Sequence, residues 1–369
     1  MGQQGENSAR IGPYPLNEIY FYLTRGCNLR CRHCWISPHP GGAEGESTVL
    51  PLDLFRSILN EAMPLGTTAV KLTGGEPLIH PRIHEILDLV RARNLSLSVE
   101  TNGTHCTEDL SRKIAACRDP FVSVSLDGTD AETHEWIRGV AGCFQAAVSG
   151  IRNLVDAGIA PQIITTLVRR NRNRITDMIA MAGSLGADSV KFNILQPTAR
   201  GAGLYLDGEA LAIEELLDLG EWVEHTLAPA SSLPVYYDHP PAFRPLGRIF
   251  GRNGGEGCGT CGVLGIMGVL ADGSYALCGI GEIVPELVFG RAGRDRLKTV
   301  WEGSSALIEL RRGLPGRLRG VCGRCLLKRR CLGGCVAQNY YHGGNFWGPF
   351  WYCAEADRRG LFPGSRKSL

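Results

Sequence analysis

Short apolar runs alternate with longer segments of helical periodicity through the first half of the chain. The runs are rich in Val, Ile and Thr and predict strands at residues 19–24, 69–73, 97–101, 121–126, 162–168 and 189–195. Helices are predicted between them at residues 52–62, 83–92, 107–117, 144–157 and 175–185. Six strand–helix units predict a parallel α/β sheet but are too few to close an eight-fold barrel. We therefore expect an α/β fold built as a partial (β/α)6 barrel.

The second half of the chain has a different composition. A helix is predicted at residues 209–227, and from about residue 234 the sequence becomes rich in Gly, Pro, Arg and Cys. The chain is accordingly divided into an N-terminal tail at residues 1–18, a barrel at residues 19–233 and a cysteine-rich domain at residues 234–369. Those lengths suit one large domain and a smaller one.

Composition excludes several classes of function. A net charge of +2 over 369 residues gives no electrostatic reason to expect nucleic-acid binding. The polar start, residues 1–10, lacks the apolar centre of a signal peptide, and the apolar run at residues 263–271 is too short to span a bilayer. We expect a cytoplasmic protein without membrane association. In a reducing compartment its 14 cysteines are expected to bind metal or act in redox chemistry rather than form disulfides.

Three cysteines follow the first predicted strand with the spacing C-x3-C-x2-C: Cys27, Cys31 and Cys34. Three thiolates on one short loop can hold three irons of a four-iron cluster and leave the fourth iron open to a small molecule. The alternative is a zinc site with a distant fourth ligand, although zinc sites usually pair their cysteines as C-x2-C or C-x4-C. The spacing favours iron–sulfur chemistry.

A turn with two glycines follows the second predicted strand: Gly74, Gly75, Glu76 and Pro77. Glycines let the backbone approach a ligand closely, proline fixes the exit of the turn, and the carboxylate can accept hydrogen bonds from an ammonium group. Such a run is by itself a common turn. Its place at the carboxyl end of a strand, next to the cysteine loop, indicates a binding site.

The cysteine triad, in its run at residues 24–35, and the Gly-Gly-Glu-Pro turn together resemble radical S-adenosylmethionine enzymes. The resemblance extends through residues 100–103, 123–128 and 138–139. It implies a four-iron cluster that binds S-adenosylmethionine and yields a 5′-deoxyadenosyl radical. It further implies that Asn102 and Ser125 contact the ribose or carboxylate and that Arg138 pairs with the carboxylate. A turn cap, a strand-end hydroxyl and a surface charge are the simpler explanations for these three residues.

Eight further cysteines lie in the second half: Cys258, Cys261, Cys278, Cys322, Cys325, Cys331, Cys335 and Cys353. Eight thiolates suffice for two closed four-iron clusters, and a pair of zinc ribbons is the alternative. The spacing resembles the SPASM extension of peptide-modifying radical enzymes, for three 4Fe-4S clusters in total. The resemblance assigns Cys258, Cys261, Cys278 and Cys335 to one auxiliary cluster and Cys322, Cys325, Cys331 and Cys353 to the other. Sulfatase-maturing members carry an Asp base where this chain has Gly279, so no general base is assigned.

The resemblance implies a radical enzyme that modifies a ribosomally made precursor peptide. Residues 70–77, 190–193, 197–201, 275–281 and 286–290 resemble maturases of precursors with nif-type leaders, and through them the peptide spliceases that excise tyramine. Thioether or carbon–carbon cross-linking is the alternative outcome. Because few residues precede the first strand, we expect a separate leader-binding partner protein, and the reductant is expected to be a flavodoxin or ferredoxin. A radical enzyme for a small molecule or folded protein, and a zinc-binding interaction module, are the other classes considered.

Overall fold

The computed structural model describes residues 14–36, 38–40, 48–251 and 261–368. The strands in these ranges, in chain order, are β1 (Glu18–Tyr22), β2 (Gly26–Cys27), β3 (His39–Pro40), β4 (Ala69–Thr73), β5 (Ser96–Thr101), β6 (Arg118–Ser125), β7 (Gln162–Leu167), β8 (Ser189–Ile194), β9 (Val235–Tyr237), β10 (Ile266–Val269), β11 (Ser274–Ala276) and β12 (Val288–Arg291). All six predicted strands are present, each with bounds within three residues of the prediction.

The helices of the described ranges lie between and after these strands. They are α1 (Leu52–Ala62), α2 (Ile83–Ala92), α3 (Glu108–Ala115), α4 (Ala131–Arg138), α5 (Cys143–Asp156), α6 (Ile175–Ser184), α7 (Gly201–Leu206), α8 (Ile213–Trp222), α9 (Ala228–Ala230), α10 (Leu246–Phe250), α11 (Leu297–Gly303), α12 (Ser305–Gly313), α13 (Gly320–Arg324), α14 (Lys328–Cys331), α15 (Val336–Gly343) and α16 (Trp351–Arg358). None of the helices in the described ranges has the length and apolarity needed to cross a membrane.

One sheet organises the described part of the chain. Its ten strands run in the order β12-β11-β10-β1-β4-β5-β6-β7-β8-β9. The six strands from β1 to β8 in that order pair in parallel, as the strand–helix alternation predicts. The chemistry-bearing loops therefore meet at the carboxyl ends of these strands.

The cysteine-rich half extends this sheet at both ends. Strand β9 pairs in parallel with β8, while β10 pairs in parallel with β1 in the register Glu18 to Ile266. Strands β11 and β12 continue the β10 side as antiparallel partners. The last third of the chain thus lies against the first strand, beside the loop that carries the cysteine triad.

Apolar stripes explain the helices that the sequence predicts. In α2 the buried side chains are those of the predicted stripe, Ile83, Ile86, Leu87 and Val90, and they join the core under the sheet. Helix α8 begins at Ile213, four residues later than predicted, and continues through a π-helical turn at Val223–Leu227.

Helix α4 was not predicted. It begins at Asp130, whose carboxylate accepts a hydrogen bond from the Thr133 amide at 2.8 Å, and it ends at Gly139, which has a φ of 75°. The buried face of α4 contains His134 and Arg138 as well as Ile137, so no continuous apolar stripe marks it.

Candidate functional site

A cavity of about 360 Å³ opens at the carboxyl ends of the parallel strands. The three cysteines of the first loop line it together with the Gly-Gly-Glu turn and polar residues from the following strand ends. The predicted site residues that line it are Cys27, Cys31, Cys34, Gly74, Gly75, Glu76, Asn102, Ser125 and Arg138. Pro77 directly follows as the first residue of a buried 3₁₀ turn. Residues predicted from the cysteine loop, the Gly-Gly-Glu turn, the ends of β5 and β6 and the end of α4 are thus brought to one cavity.

The cysteine loop is held in place by hydrogen bonds to α4. The amides of Arg30 and Arg32, on either side of Cys31, donate to the carbonyls of Arg138 and Ile137 at 3.0 and 2.9 Å. These two bonds fix the backbone on both sides of Cys31. The C-terminal end of α4 therefore acts as the support of the cysteine loop.

The two glycines allow backbone contact between this loop and the turn after β4. Gly74 has a φ of +132°, a conformation that side chains disfavour, and the amide of Gly75 donates to the Thr24 carbonyl at 2.8 Å. A Cβ on Gly75 would overlap the carbonyl oxygen of Gly26. Only glycine fits at position 75 without separating the turn from the cysteine loop.

Glu76 is buried and joins the ends of two strands. Its Oε1 accepts hydrogen bonds from the Leu78 amide at 3.1 Å and the Thr101 hydroxyl at 2.7 Å, and its Oε2 accepts one from the Asn102 amide at 2.8 Å. Burial raises the pKa of Glu76 to about 6, against the lowering effect of these bonds. A carboxylate has about four acceptor positions, so one remains on Oε2 for a ligand.

Asn102 and Ser125 face the same cavity but differ in the hydrogen bonds of their side chains. The Asn102 side-chain amide donates to Asn28 in the cysteine loop at 2.9 Å, and its oxygen accepts from the amide and hydroxyl of Thr104 at 2.9 and 2.6 Å. Its internal contacts are those of a turn cap that also positions the cysteine loop. Ser125 has no hydrogen bond from its hydroxyl to another described residue.

Arg138 forms a buried ion pair beneath the cysteine loop. Its Nε lies 2.6 Å from Asp127 Oδ2, and its Nη1 donates to the Cys31 sulfur at 3.6 Å. Burial disfavours both charges, but each partner outweighs that cost, so the pKa of Asp127 is lowered and that of Arg138 is raised. His33 Nε2 lies 3.7 Å from the same carboxylate, and burial lowers the pKa of His33 to about 4. Arg138 therefore stays cationic next to a cysteine sulfur.

The far wall of the cavity contains residues that were not predicted as site residues. Lys191 and Asn193 project from β8, and Arg200 follows it with its amide bonded to the Cys34 carbonyl at 3.1 Å. Asn193 Oδ1 and Arg200 Nε are buried without hydrogen-bond partners among the described residues. Unpaired polar atoms of this kind are suited to a polar ligand. Asn193 and Arg200 lie at and after the carboxyl end of β8, which is the sixth strand that the sequence predicts. That position is the sequence signal that could have identified them as site residues.

Four cysteines of the cysteine-rich domain at residues 234–369, called the tail below, surround a second, small cavity: Cys322, Cys325, Cys331 and Cys353. A hydrogen bond between Cys322 and Cys353 lowers the pKa of the first thiol and raises that of the second. The amide of Leu327 donates to the Cys325 sulfur at 3.4 Å. The structure thus brings together the four residues that the resemblance assigned to one auxiliary cluster.

Three of the other tail cysteines are also mutual neighbours. Burial raises the pKa of Cys278, and the charges of Cys335 and Cys261 add to this effect. Burial raises the pKa of Cys335 to about 12, with Cys261 as the next cause. Cys258, the fourth predicted ligand, lies outside the described residues. Gly279 follows Cys278 and abuts the ring of Tyr22 at the edge of the main cavity.

In the described ranges, no three His, Cys, Asp or Glu side chains are placed to share a single metal ion.

The structure thus combines a parallel sheet with a three-thiol loop that follows its first strand and lines the cavity. Residues 21–182 match the model of the Radical SAM superfamily. That family implies S-adenosylmethionine and a 4Fe-4S cluster.

Known proteins are similar to this chain over most of its length. It is 29% identical over 345 residues to an AdoMet-dependent heme synthase of Methanosarcina barkeri, covering 91% of this chain and 95% of that protein. It is also 29% identical over 335 residues to the mycofactocin maturase MftC of Mycobacterium tuberculosis, covering 90% and 81%. Streptococcus suis SuiB bound to S-adenosylmethionine superposes with a TM-score of 0.69 at 17% identity, covering 92% and 77%, which shows a shared fold.

The residues of the main cavity fit the two groups that the family implies. Three thiols offer soft ligands, and the Leu29 amide at 3.4 Å from Cys27 and Arg138 at 3.6 Å from Cys31 donate to sulfur as is typical around clusters. The free acceptor position of Glu76 suits an ammonium group, while Arg138 and Arg200 suit a carboxylate. Burial raises the pKa of Cys27 to about 12, so ligand binding has to displace a proton from this thiol.

Proposed function

We propose that this protein is a radical S-adenosylmethionine enzyme that modifies a ribosomally made precursor peptide. The observation that carries this proposal is the similarity to MftC, a maturase, along 90% of the chain, combined with the cysteine-lined cavity.

We assign a role to each wall of the main cavity. Cys27, Cys31 and Cys34 hold the first cluster, and with S-adenosylmethionine bound the pair supplies a 5′-deoxyadenosyl radical. Glu76 accepts from the ligand's ammonium group through Oε2, and Arg138 binds its carboxylate. Gly74 and Gly75 let the backbone approach the ammonium and carboxylate groups of the ligand.

Residues of the far wall orient the substrate. Lys191, which lies 3.3 Å from Asp238, and Asn193 present donors and acceptors from β8, and Arg200 adds a cationic side chain beside the cysteine loop. Contacts at fixed positions hold one substrate C–H bond near the reacting group and exclude water.

Two auxiliary 4Fe-4S clusters are proposed in the tail, one at Cys258, Cys261, Cys278 and Cys335 and one at Cys322, Cys325, Cys331 and Cys353. Support comes from the grouping of the described members of each set. Replacing the first-loop triad by Ala, or either tail set, is expected to remove about a third of the bound iron. Zinc without iron or sulfide in anaerobically purified protein would instead show an interaction module.

Co-expression with a neighbouring precursor gene and tandem mass spectrometry of the peptide test the reaction. Loss of a tyramine unit identifies backbone splicing, the more specific proposal, and loss of two hydrogens identifies a thioether or carbon–carbon cross-link. Either product should require the cysteine triad and form together with 5′-deoxyadenosine. An unchanged peptide with every neighbouring precursor gene contradicts a peptide substrate.

The similarity to a heme synthase favours a second candidate, a radical enzyme that acts on a small molecule. Formation of 5′-deoxyadenosine that increases with a tetrapyrrole carboxylate, but not with the peptide, would identify it. A separate leader-binding protein and a flavodoxin or ferredoxin are the proposed partners of the peptide reaction. Tight leader binding by the isolated chain would contradict the separate binding protein.

A further inference from the structure

We propose that an arginine patch on the outer side of the cysteine loop docks an acidic one-electron carrier protein, an inference that rests on the proposed radical reaction. The patch consists of Arg32 and Arg170, which lie over the ring of Trp136, and of Arg30, which precedes Arg32 by two residues in the cysteine loop. It lies outside the cavity and belongs to neither tail cysteine group.

The patch is next to the loop that would receive the electron. Arg30 and Arg32 are exposed and flank Cys31 directly in the chain, so each Cα lies about 3.8 Å from that of Cys31. The backbone on both sides of Cys31 is tied to the end of α4 by the two amide bonds to Arg138 and Ile137. A protein that covers these arginines therefore lies close to the residues that would surround the first cluster.

The guanidinium groups are ordered by an aromatic side chain. Those of Arg32 and Arg170 lie 4.7 and 4.6 Å from the centre of the Trp136 ring, and Arg32 Nε also donates to the Trp136 carbonyl at 2.9 Å. Cations held in this way lose less conformational entropy when a partner binds, because much of their ordering is already complete.

Charge pairing separates this patch from the neighbouring arginines. Glu215 pairs with Arg169 at 2.9 Å and with Arg172, and Asp177 pairs with Arg174 at 3.1 Å. By contrast, neither Arg30 nor Arg32 has a carboxylate within 4.0 Å in the part of the chain that the structure describes, and Arg170 has only a contact at 4.0 Å with the exposed Glu132. The patch keeps a local positive charge on a chain whose net charge is only +2.

Positive charge that Glu132 and Asp130 compensate only at Arg170 selects a partner with an acidic face and speeds their encounter. In the electron transfer, the carrier loses one electron and the first cluster gains it, without proton transfer. Carriers of the flavodoxin or ferredoxin class meet both requirements. An acidic peptide leader is the competing occupant, and the experiment separates the two.

The test compares two charge-reversal variants of the cluster-loaded enzyme. Arg30→Glu/Arg170→Glu alters the patch but keeps Arg32 on Trp136, while Arg91→Glu/Arg112→Glu makes the same change in net charge at exposed sites on α2 and α3. Reduced flavodoxin and reduced ferredoxin serve as probes. Stopped-flow absorbance gives the second-order rate constant of cluster reduction at several salt concentrations, and dithionite gives a carrier-independent rate of 5′-deoxyadenosine formation.

We expect the patch variant to lose about tenfold or more of the carrier-dependent rate constant and most of its salt dependence. The control variant and all dithionite-driven rates should stay near wild type. Equal carrier rates in both variants, or no salt-dependent reduction of wild type by either carrier, would overturn the docking site. So would a patch variant that loses affinity for the precursor peptide but keeps its carrier rate. A wild-type enzyme that makes no 5′-deoxyadenosine with dithionite contradicts the proposed function instead.

Discussion

The ring of Tyr22 fills the space into which a side chain at Gly279 would extend. A Cβ built on Gly279 lies 2.8 Å from the Tyr22 hydroxyl oxygen and overlaps the ring itself. The Gly279 amide donates to that hydroxyl, while burial raises the pKa of Tyr22 well above its ordinary value. A neutral phenol therefore stands between Cys278 and the main cavity, where a side chain at position 279 would otherwise lie.

Gly279→Asp is expected to destabilise the protein by about 1–3 kcal/mol, because the added atoms overpack the Tyr22 ring. In a double-mutant cycle, Gly279→Asp should cost less stability in a Tyr22→Ala background than in wild type, because the ring that it overpacks is already absent. Anaerobic thermal unfolding of the cluster-loaded protein measures both effects. Gly303→Asp, at a position with open space around its Cβ, is the control. An equal loss of stability in Gly279→Asp and Gly303→Asp would contradict the steric explanation.

Gly75→Ala is expected to weaken S-adenosylmethionine binding strongly. The new methyl group meets the Gly26 carbonyl, a backbone atom that cannot move without shifting the cysteine loop. Equilibrium titration of the reconstituted protein and its iron content measure the loss. Gly183→Ala in α6, where the Cβ meets open space, should leave binding unchanged and add up to about 1 kcal/mol of stability. Wild-type affinity in Gly75→Ala would show that the two loops do not depend on their close contact.

Asp127→Asn is expected to cost about 3–5 kcal/mol of folding free energy, because it leaves the buried guanidinium of Arg138 without its counter-charge. Removing both charges with Asp127→Asn/Arg138→Gln should cost less than the single change. Urea unfolding gives the comparison. Asp53→Asn, which removes an exposed partner of Arg56, should change stability by less than about 1 kcal/mol. Similar costs for the two single variants would show that Arg138 is not held by Asp127.

Stability should fall as the pH is lowered because of a second buried pair. His239 Nε2 lies 3.2 Å from Glu224 Oε1, and Arg248 lies 3.0 Å from the other oxygen. Burial lowers the pKa of His239 despite Glu224, and the pKa of Glu224 is lowered by its partners against its own burial. With both folded-state pKa values depressed, the unfolded chain binds more protons below the ordinary values of 6.5 and 4.5.

The stabilising contribution of His239 is thus complete above pH 6.5 and is lost as the pH falls. Thermal midpoints measured between about pH 7.5 and pH 5.5 should decrease in wild type and decrease less in His239→Gln. His84→Gln, at an exposed histidine near Asp109, should keep the wild-type slope. A wild-type slope in His239→Gln would assign the pH dependence to other groups.

Local pattern was sufficient for the barrel strands and for the turn residues at their ends. The strand at residues 69–73 and the helices at residues 52–62 and 83–92 have the predicted bounds, since each combines a regular period with clear end signals. The cysteine loop and the Gly-Gly-Glu turn met in one cavity because the carboxyl ends of parallel strands share an edge.

Residues whose role depends on tertiary contact were not predictable in the same way. Helix α4 was missed although Asp130 is a good N-cap, because buried His134 and Arg138 interrupt its apolar face. Strand β10 was seen only as an apolar run too short for a membrane span. Its pairing with β1 leaves no local trace, and neither does the position of Arg200 beside Cys34.

That pairing has a consequence for how the protein is made. The edge of β1 that β10 covers stays open until nearly three quarters of the chain has left the ribosome, since Glu18 is matched to Ile266. Until then the cysteine loop follows a strand with one unpaired edge, and the thiols proposed to hold iron are accessible to oxidants and other metals. Newly synthesised protein should therefore be most vulnerable to oxygen before its final third is complete.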